Sequence, residues 1–317
     1  SGVAMALSAL QVKDGWEATV AKVYETRRYD TEVLLNEPTA SSLADRIAAL
    51  PGVRAAEAWG YAPAAFTREG GPDVVRTYPD RGHGSLAAMG IPPETTLVRF
   101  PLRAGRWLQP DDRGGDALVL NHAAAAQAPG LRVGDPVLLS LDGRPTRWRL
   151  VGIVEEIGAA GVAYVADTSF AIAAETPGAA RLLRVTTEGQ SAVERVATTR
   201  RIEGALDAAR APVQAVMPLA ELRTAMADHV LVLVRMLIAM AAILGLVGAL
   251  GLASTLGIGV VERTREIAIM KTLGATPARI RNLFLAEGLL VAAASYVVGL
   301  ALSVPLTWLV DRIVGNL

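Results

Sequence analysis

The chain of 317 residues contains no cysteine, which excludes disulfides, thiol catalysis and Cys-ligated zinc within it. Its three histidines, His83, His122 and His229, lie too far apart in sequence to suggest a histidine metal site. Neither sign of charge is in excess, since 31 basic residues balance 31 acidic ones. A nucleic-acid binder usually carries a basic surplus. Aromatics are scarce at 5%, yet 52% of the residues are hydrophobic and the mean hydropathy is +0.35. An apolar excess built from Ala, Leu, Val and Gly is the composition of membrane helices more than of a compact enzyme core. There is no P-loop, so any use of ATP falls to another chain or to a segment outside this one.

The apolar residues are concentrated. From Val230 to Val261 the only charge is Arg235, and from Leu283 to Val310 the only charge is Glu287. About 20 apolar residues span a bilayer, so both runs predict transmembrane helices. The first would be about 48 Å long against a ~30 Å hydrocarbon core, so it tilts or projects as a stalk. Residues 2–10 (GVAMALSAL) are apolar but too short to span, and without an initiator Met or basic start they are no intact signal peptide. We read residues 1–12 as the end of a truncated transmembrane helix, continued at helical spacing by Val12, Trp16, Val20 and Val23.

Residues 262–282 carry Arg263, Arg265, Lys271, Arg279 and Arg281 against Glu262 and Glu266. Short basic loops stay in the cytoplasm. The expected order is then an extracytoplasmic domain over 13–228, a transmembrane helix with stalk over 229–261, and a cytoplasmic helix and loop over 262–282. A second span follows over 283–310, with 311–317 as an extracytoplasmic end that is itself truncated.

The 13–228 region alternates strand and helix signals. Tyr29, Thr31, Val33 and Leu35 fall on one strand face. Ser42 can cap a helix carrying Leu43, Ile47 and Leu50 that stops at Pro51-Gly52, and Val53–Trp59 reads as a returning strand. The order recurs with a strand over Leu182–Thr187, a helix with Ala192, Val196, Ile202, Leu206 and Ala209 on one face, and a strand over Val213–Met217. Between these units, residues 67–174 are rich in short strands and turns, and Asp142-Gly143 is a hairpin signal. The expected fold class is an α+β extracytoplasmic domain, two β-α-β units with an inserted β-rich lobe, plus transmembrane α-helices. The two units share no sequence identity that would pair them into one sheet.

Catalytic constellations are missing. His83 lies near Ser85 in a Gly/Pro/charge loop that reads as a flexible turn, and Asp111, Asp112 and Asp116 lack calcium-loop spacing. No catalytic, cofactor-binding or metal-ligating residue is assigned, and no cofactor is expected. Charges inside spans are costly and often functional. Arg235 can snorkel from near the outer end, while Glu287, one turn inside, could pair with Arg281 or Arg279. Gly245, Gly248 and Gly251, with Ala249 and Ala253 nearby, offer small residues for close helix packing.

The loop itself is the most informative segment. Ile267, Met270 and Leu273 can share an apolar helix side while Arg263, Glu266 and Lys271 point elsewhere. Gly274 is placed to end that helix, and Thr276 can cap the next with Pro277 at its first position. Such a helix suits docking into a partner's groove, or lies on lipid.

ERTREIAIMKTLGAT, followed by LFLAEGLLV, resembles the cytoplasmic loop of FtsX-like ABC transporter permeases, the group that includes the MacB and lipoprotein-releasing systems. Gly105-Arg106-Trp107-Leu108, Ala117–Asn121, Leu131–Asp135 and Val151–Val154 are similar to the MacB-type periplasmic core domain. The resemblance implies a bacterial inner-membrane, multi-pass subunit that is not itself an enzyme and has four spans per unit, so this chain looks like a fragment. It also implies a coupling helix built on Arg263, Arg265, Glu266, Ile267, Met270, Lys271, Leu273 and Gly274 that binds a cytoplasmic ABC ATPase. A second permease copy, membrane lipid and a periplasmic adaptor are the further implied partners. The family's mechanism transmits ATP-driven closure through the spans to the outer domain, moving substrate on the outer side for export or efflux. The competing class is a membrane-anchored sensor with an extracytoplasmic ligand domain, which would place a signalling module after a span. An intramembrane hydrolase would want paired polar catalysts inside the spans, and none is found.

Overall fold

The computed structural model describes residues 15–16, 20–68, 85–189 and 191–314. It forms two compact units, Thr19–Thr224 and Ala225–Leu317 with Ser1–Ala18. The apolar stretch at 2–10 and the loop with His83 lie outside the described residues.

In the first unit a short helix α1 (20–26) precedes β1 (Thr31–Ala40). Thr31, Val33 and Leu35 are buried in alternation, as a strand with one covered face requires. Helix α2 (Ser42–Ala48) buries Leu43, Ala44 and Ile47. Ser42, expected as its cap, is instead its first residue, and Ser41 at the cap position makes no side-chain bond. Pro51-Gly52 ends the helix, Gly52 at φ +86°, where glycine has no Cβ penalty. Then β2 (Val53–Phe66) runs past the expected strand end at Trp59.

Late in the unit come β9 (Ala179–Thr187), α5 (Ala192–Ala208) and β10 (Val213–Pro218). Ser191 and Glu194 form a reciprocal capping box that starts α5. Its buried stripe is Thr198, Ile202 and Leu206. Val196, expected on that stripe, is exposed; six residues before Ile202 it sits about 120° round the helix.

The sheet order is β10-β1-β9-β2, with each neighbouring pair antiparallel. The two β-α-β units therefore interleave, each giving a central strand to the other, in the split β-α-β arrangement. Helices α2 and α5 cover one face, where Val33, Leu35, Ile47, Leu183, Val185, Ile202 and Leu206 pack.

The inserted lobe holds β3 (Ser85–Ile91), β4 (Leu102–Gly105), β5 (Ala117–Asn121), α3 (His122–Ala126), β6 (Pro136–Leu141), β7 (Arg144–Val154), β8 (Val162–Ala166) and α4 (Asp167–Ala173). Its ladder closes on itself in the order β2-β3-β8-β5-β7-β6-β2. The β-rich lobe is thus a six-stranded barrel, filled by Leu86, Leu118, Leu120, Leu139, Leu141, Trp148 and Leu150. Asp142 (φ +48°) and Gly143 (φ +84°) form the tight turn between β6 and β7. β2 belongs to both layers: Val53–Trp59 pairs with β9 and Gly60–Ala65 with β3. A third core, including Tyr29, Trp59, Phe100, Tyr164 and Leu182, packs against the barrel wall and the uncovered sheet face.

The second unit contains α7 (Thr264–Thr272) and α8 (Pro277–Val314), preceded by α6 (Leu219–Glu262). Val234–Glu262 and Pro277–Leu302 are long and apolar enough to cross a membrane, and almost none of either is buried.

Candidate functional site

The joint between α6 and α7 is one residue, Arg263, at φ −92° and ψ 17°. Helix α7 follows with Glu266 in its first turn and Lys271 in its last, the charge order that complements the helix dipole. Its end is built by the backbone. Gly274 takes φ +90°; its N–H donates to the Lys271 carbonyl at 3.0 Å and the Ala275 N–H to the Met270 carbonyl at 2.9 Å. Those two bonds define a Schellman motif, which selects glycine at the left-handed position. Thr276 then accepts the Arg279 N–H at 3.4 Å, and Pro277 opens α8. Nine helical residues are therefore held between two sharp joints.

Arg265 and Glu266 are exposed, and no residue of α7 is buried. The expected apolar side divides. Ile267 and Met270 are half-buried, whereas Leu273 is 82% exposed and Ile269 52%. The exposed large apolar side chains here are Leu273 and Ile269, the latter standing off the 267–270–273 stripe.

Glu287 does not pair with Arg279 or Arg281. Its Oε2 accepts from Arg263 Nη1 at 3.5 Å. Helix geometry gives the reason: partners along one helix sit three or four residues away, and Arg281 and Arg279 are six and eight residues from Glu287. Beside it, a Cβ on Gly288 would lie 3.1 Å from Leu256 Cδ1, so glycine lets α6 and α8 touch here. Within this one chain Gly245, Gly248 and Gly251, the expected packing stripe, have open space where a Cβ would stand.

In the α/β domain the motif residues are structural. Gly105 pairs with Gly152 across β4 and β7. Arg106 donates two hydrogen bonds to Asp112, at 2.6 and 2.8 Å, which holds the Asp112 carboxyl below the usual range. Trp107 lies 5.4 Å from the Tyr164 ring and 6.0 Å from Phe100. Buried Asn121 satisfies its whole amide, accepting from the Ala124 and Val162 N–H groups and donating to Glu156 and the Ala160 carbonyl. Asp116 pairs with Arg149. Among the described residues no group of His, Cys, Asp or Glu could hold a metal.

A buried charge at the centre of the sheet was not foreseen. Arg184 of β9 stands directly across from Glu32 of β1 and Glu57 of β2. Its guanidinium lies 4.0 Å from the Trp59 ring and 4.4 Å from the Tyr29 ring, and it pairs with Glu32 at 3.1 Å. Tyr29 donates to Glu32 at 3.2 Å, and Trp59 Nε1 to Glu57 at 2.9 Å. Burial pushes the Tyr29 hydroxyl up to about 12, with Arg184 opposing and Glu32 assisting. The Tyr164 hydroxyl is raised too, chiefly by burial, and donates to Glu156 at 2.8 Å.

The chain thus pairs a mixed α/β domain with two helices long and apolar enough to cross a membrane. Residues 238–317 match the FtsX-like permease C-terminal family, the stretch that holds the loop on which the resemblance rests. No curated protein matches the chain. Among solved structures it is similar to the extracellular domain of the noncanonic ABC-type transporter YknZ from Gram-positive bacteria, with 15% identity, 60% of this chain and 98% of that one covered, and a TM-score of 0.41. It is also similar to the periplasmic region of MacB from Actinobacillus actinomycetemcomitans, at 12% identity, with 64% and 95% covered and a TM-score of 0.42.

Proposed function

We propose that this chain is the permease part of an ABC transporter in which α7 is the coupling helix for a cytoplasmic ATPase, and the α/β domain lies on the opposite side of the membrane and moves with the ATPase cycle. The observation that carries the reading is the helix–joint–helix geometry of residues 263–277 inside the segment matched to the FtsX-like family. A short helix held between two joints, with every residue at least partly accessible, is a rigid docking element rather than a connecting loop. The basic excess around it supports a cytoplasmic position. The charges Arg265, Glu266 and Lys271 would set orientation on the partner, Arg263 being engaged with Glu287, and the apolar contact would come from Leu273 with Ile269, with Ile267 and Met270 buttressing the helix from beneath. A second permease copy, lipid around the spans and a periplasmic adaptor complete the assembly. The chain itself does no chemistry.

The test is co-purification and stimulated ATP turnover in the full-length protein. Exchanging Arg265 and Glu266 conserves net charge but reverses the sign each position presents to a complementary surface. Leu273→Asp places an ion in an apolar contact, and Met270→Asp does so beneath the helix. All three should insert normally and lose ATPase binding or its stimulation. Wild-type binding and transport in every variant would remove the coupling assignment.

A further inference from the structure

Arg263 and Glu287 are joined in a way that ordinary interfacial side chains are not. Arg263, the joint that follows α6, comes seven residues after Leu256, about 10 Å further along the helix axis. Leu256 touches the position of Gly288, and Glu287 adjoins it. For Arg263 to reach Glu287, its side chain must run back along α6, towards the apolar run, and the carboxylate must run towards the start of α8. Both follow the N-terminal lean of helical side chains. An arginine at a membrane edge otherwise extends outward to water. Here it extends inward, to the only charge between Leu283 and Val310. An unpartnered carboxylate in that run is costly, and an ion pair there is screened less than one in bulk water.

We propose that the Arg263–Glu287 pair, seated on the Leu256–Gly288 contact, is a clasp that fixes the direction of α7 by tying the joint between α6 and α7 to α8. Arg263 is the residue at which the α6 backbone leaves helical geometry. Its side chain ties the first joint of α7 to α8, and the left-handed Gly274 sets the second. With the clasp closed, a force on α7 is delivered to both long helices together. With it open, α7 can swing about Arg263 and the force is lost. Glu287 is then a positioning residue that touches no partner. This consequence rests on the coupling reading above; the clasp itself does not.

The absence of cysteine makes the measurement direct. In the full-length protein in lipid nanodiscs, spin labels on cysteines placed at Lys271 and Leu290 report the distance between α7 and α8. We expect one narrow distribution in the parent and broad ones in Glu287→Gln and Arg263→Gln. The charge exchange, Arg263→Glu with Glu287→Arg, should narrow it again. Narrow distributions in both single variants overturn the clasp, and so does an exchange that stays broad. In a second arm without labels, Glu287→Gln should bind the ATPase normally while stimulated turnover falls about fivefold or more, the lower end of coupling between sites. Turnover unchanged in a variant whose distribution has broadened overturns the transmission role. A parent that binds no ATPase sinks the coupling reading, while the distance arm still decides the clasp.

Discussion

Gly105 and Gly152 face each other across the β4–β7 ladder, and the backbone beside each occupies the place where the other's side chain would begin. A Cβ on Gly152 would run into the Arg106 carbonyl, and one on Gly105 into that of Val151. Two of the stretches that carry the family resemblance thus interlock without side chains. Neither carbonyl can retreat, because each belongs to a paired strand or its immediate extension. Gly152→Ala should therefore cost about 3 kcal/mol or more, the range of strained core substitutions. Thermal melting of a soluble fragment over residues 19–224, which should fold alone as an α/β domain, reads the loss. A melting point within a degree of the parent's would contradict the close approach.

The same fragment tests the buried arginine. Arg184→Ala removes the partner of Glu32 and leaves two aromatic faces uncovered, so about 3 kcal/mol should be lost, as for breaking other buried pairs. Arg184→Met restores the volume and part of the ring contact, and should cost clearly less. Equal losses in the two variants would mean that the charge, and not the packing, dominates.

Alkaline titration has a defined sign. Tyr29 ionises near 10 when unfolded and near 12 when folded, so its neutral form is favoured by the fold. The associated stability is fully present below pH 10 and is lost as the pH rises from 10 to 12, by at most about 3 kcal/mol for this group. Tyr164 acts in the same direction. Urea midpoints of the fragment should be level up to about pH 10 and fall beyond it. Phenolate absorbance should show two tyrosines ionising above the ordinary tyrosine range as long as the fold persists.

Sidedness is checked with single cysteines. One at Thr276 should react with an impermeant reagent only from the cytoplasmic face, and one at Asp142 only from the opposite face. Equal labelling of both from outside would refute the topology.

The parts legible in the sequence are those fixed by local chemistry. The alternation in β1, the Asp142-Gly143 turn and the Gly274–Pro277 break each follow from backbone preferences of a few adjacent residues. What was hidden depends on distant pairing. The strand expected over Val53–Trp59 continues through Gly60 and Pro63 to Phe66 and closes the barrel. Arg184 carries no local signal of its role, because Glu32, its ion-pair partner, lies 152 residues away in the chain. Glu287 was matched to arginines of its own helix, since the approach of α6 at Leu256 leaves no trace in hydropathy. Ser191 and Glu194 carry the local Ser-x-x-Glu signature of a capping box.

The continuity of β2 has a mechanical consequence. One unbroken backbone serves as the edge of the four-stranded sheet and as a stave of the barrel, so tension is carried between them by covalent bonds. The two layers cannot shear apart at a side-chain interface, as separate modules would. Separation requires unzipping the β2–β9 ladder, or the β2–β3 and β2–β6 ladders together, and a pull on the sheet must turn the barrel with it.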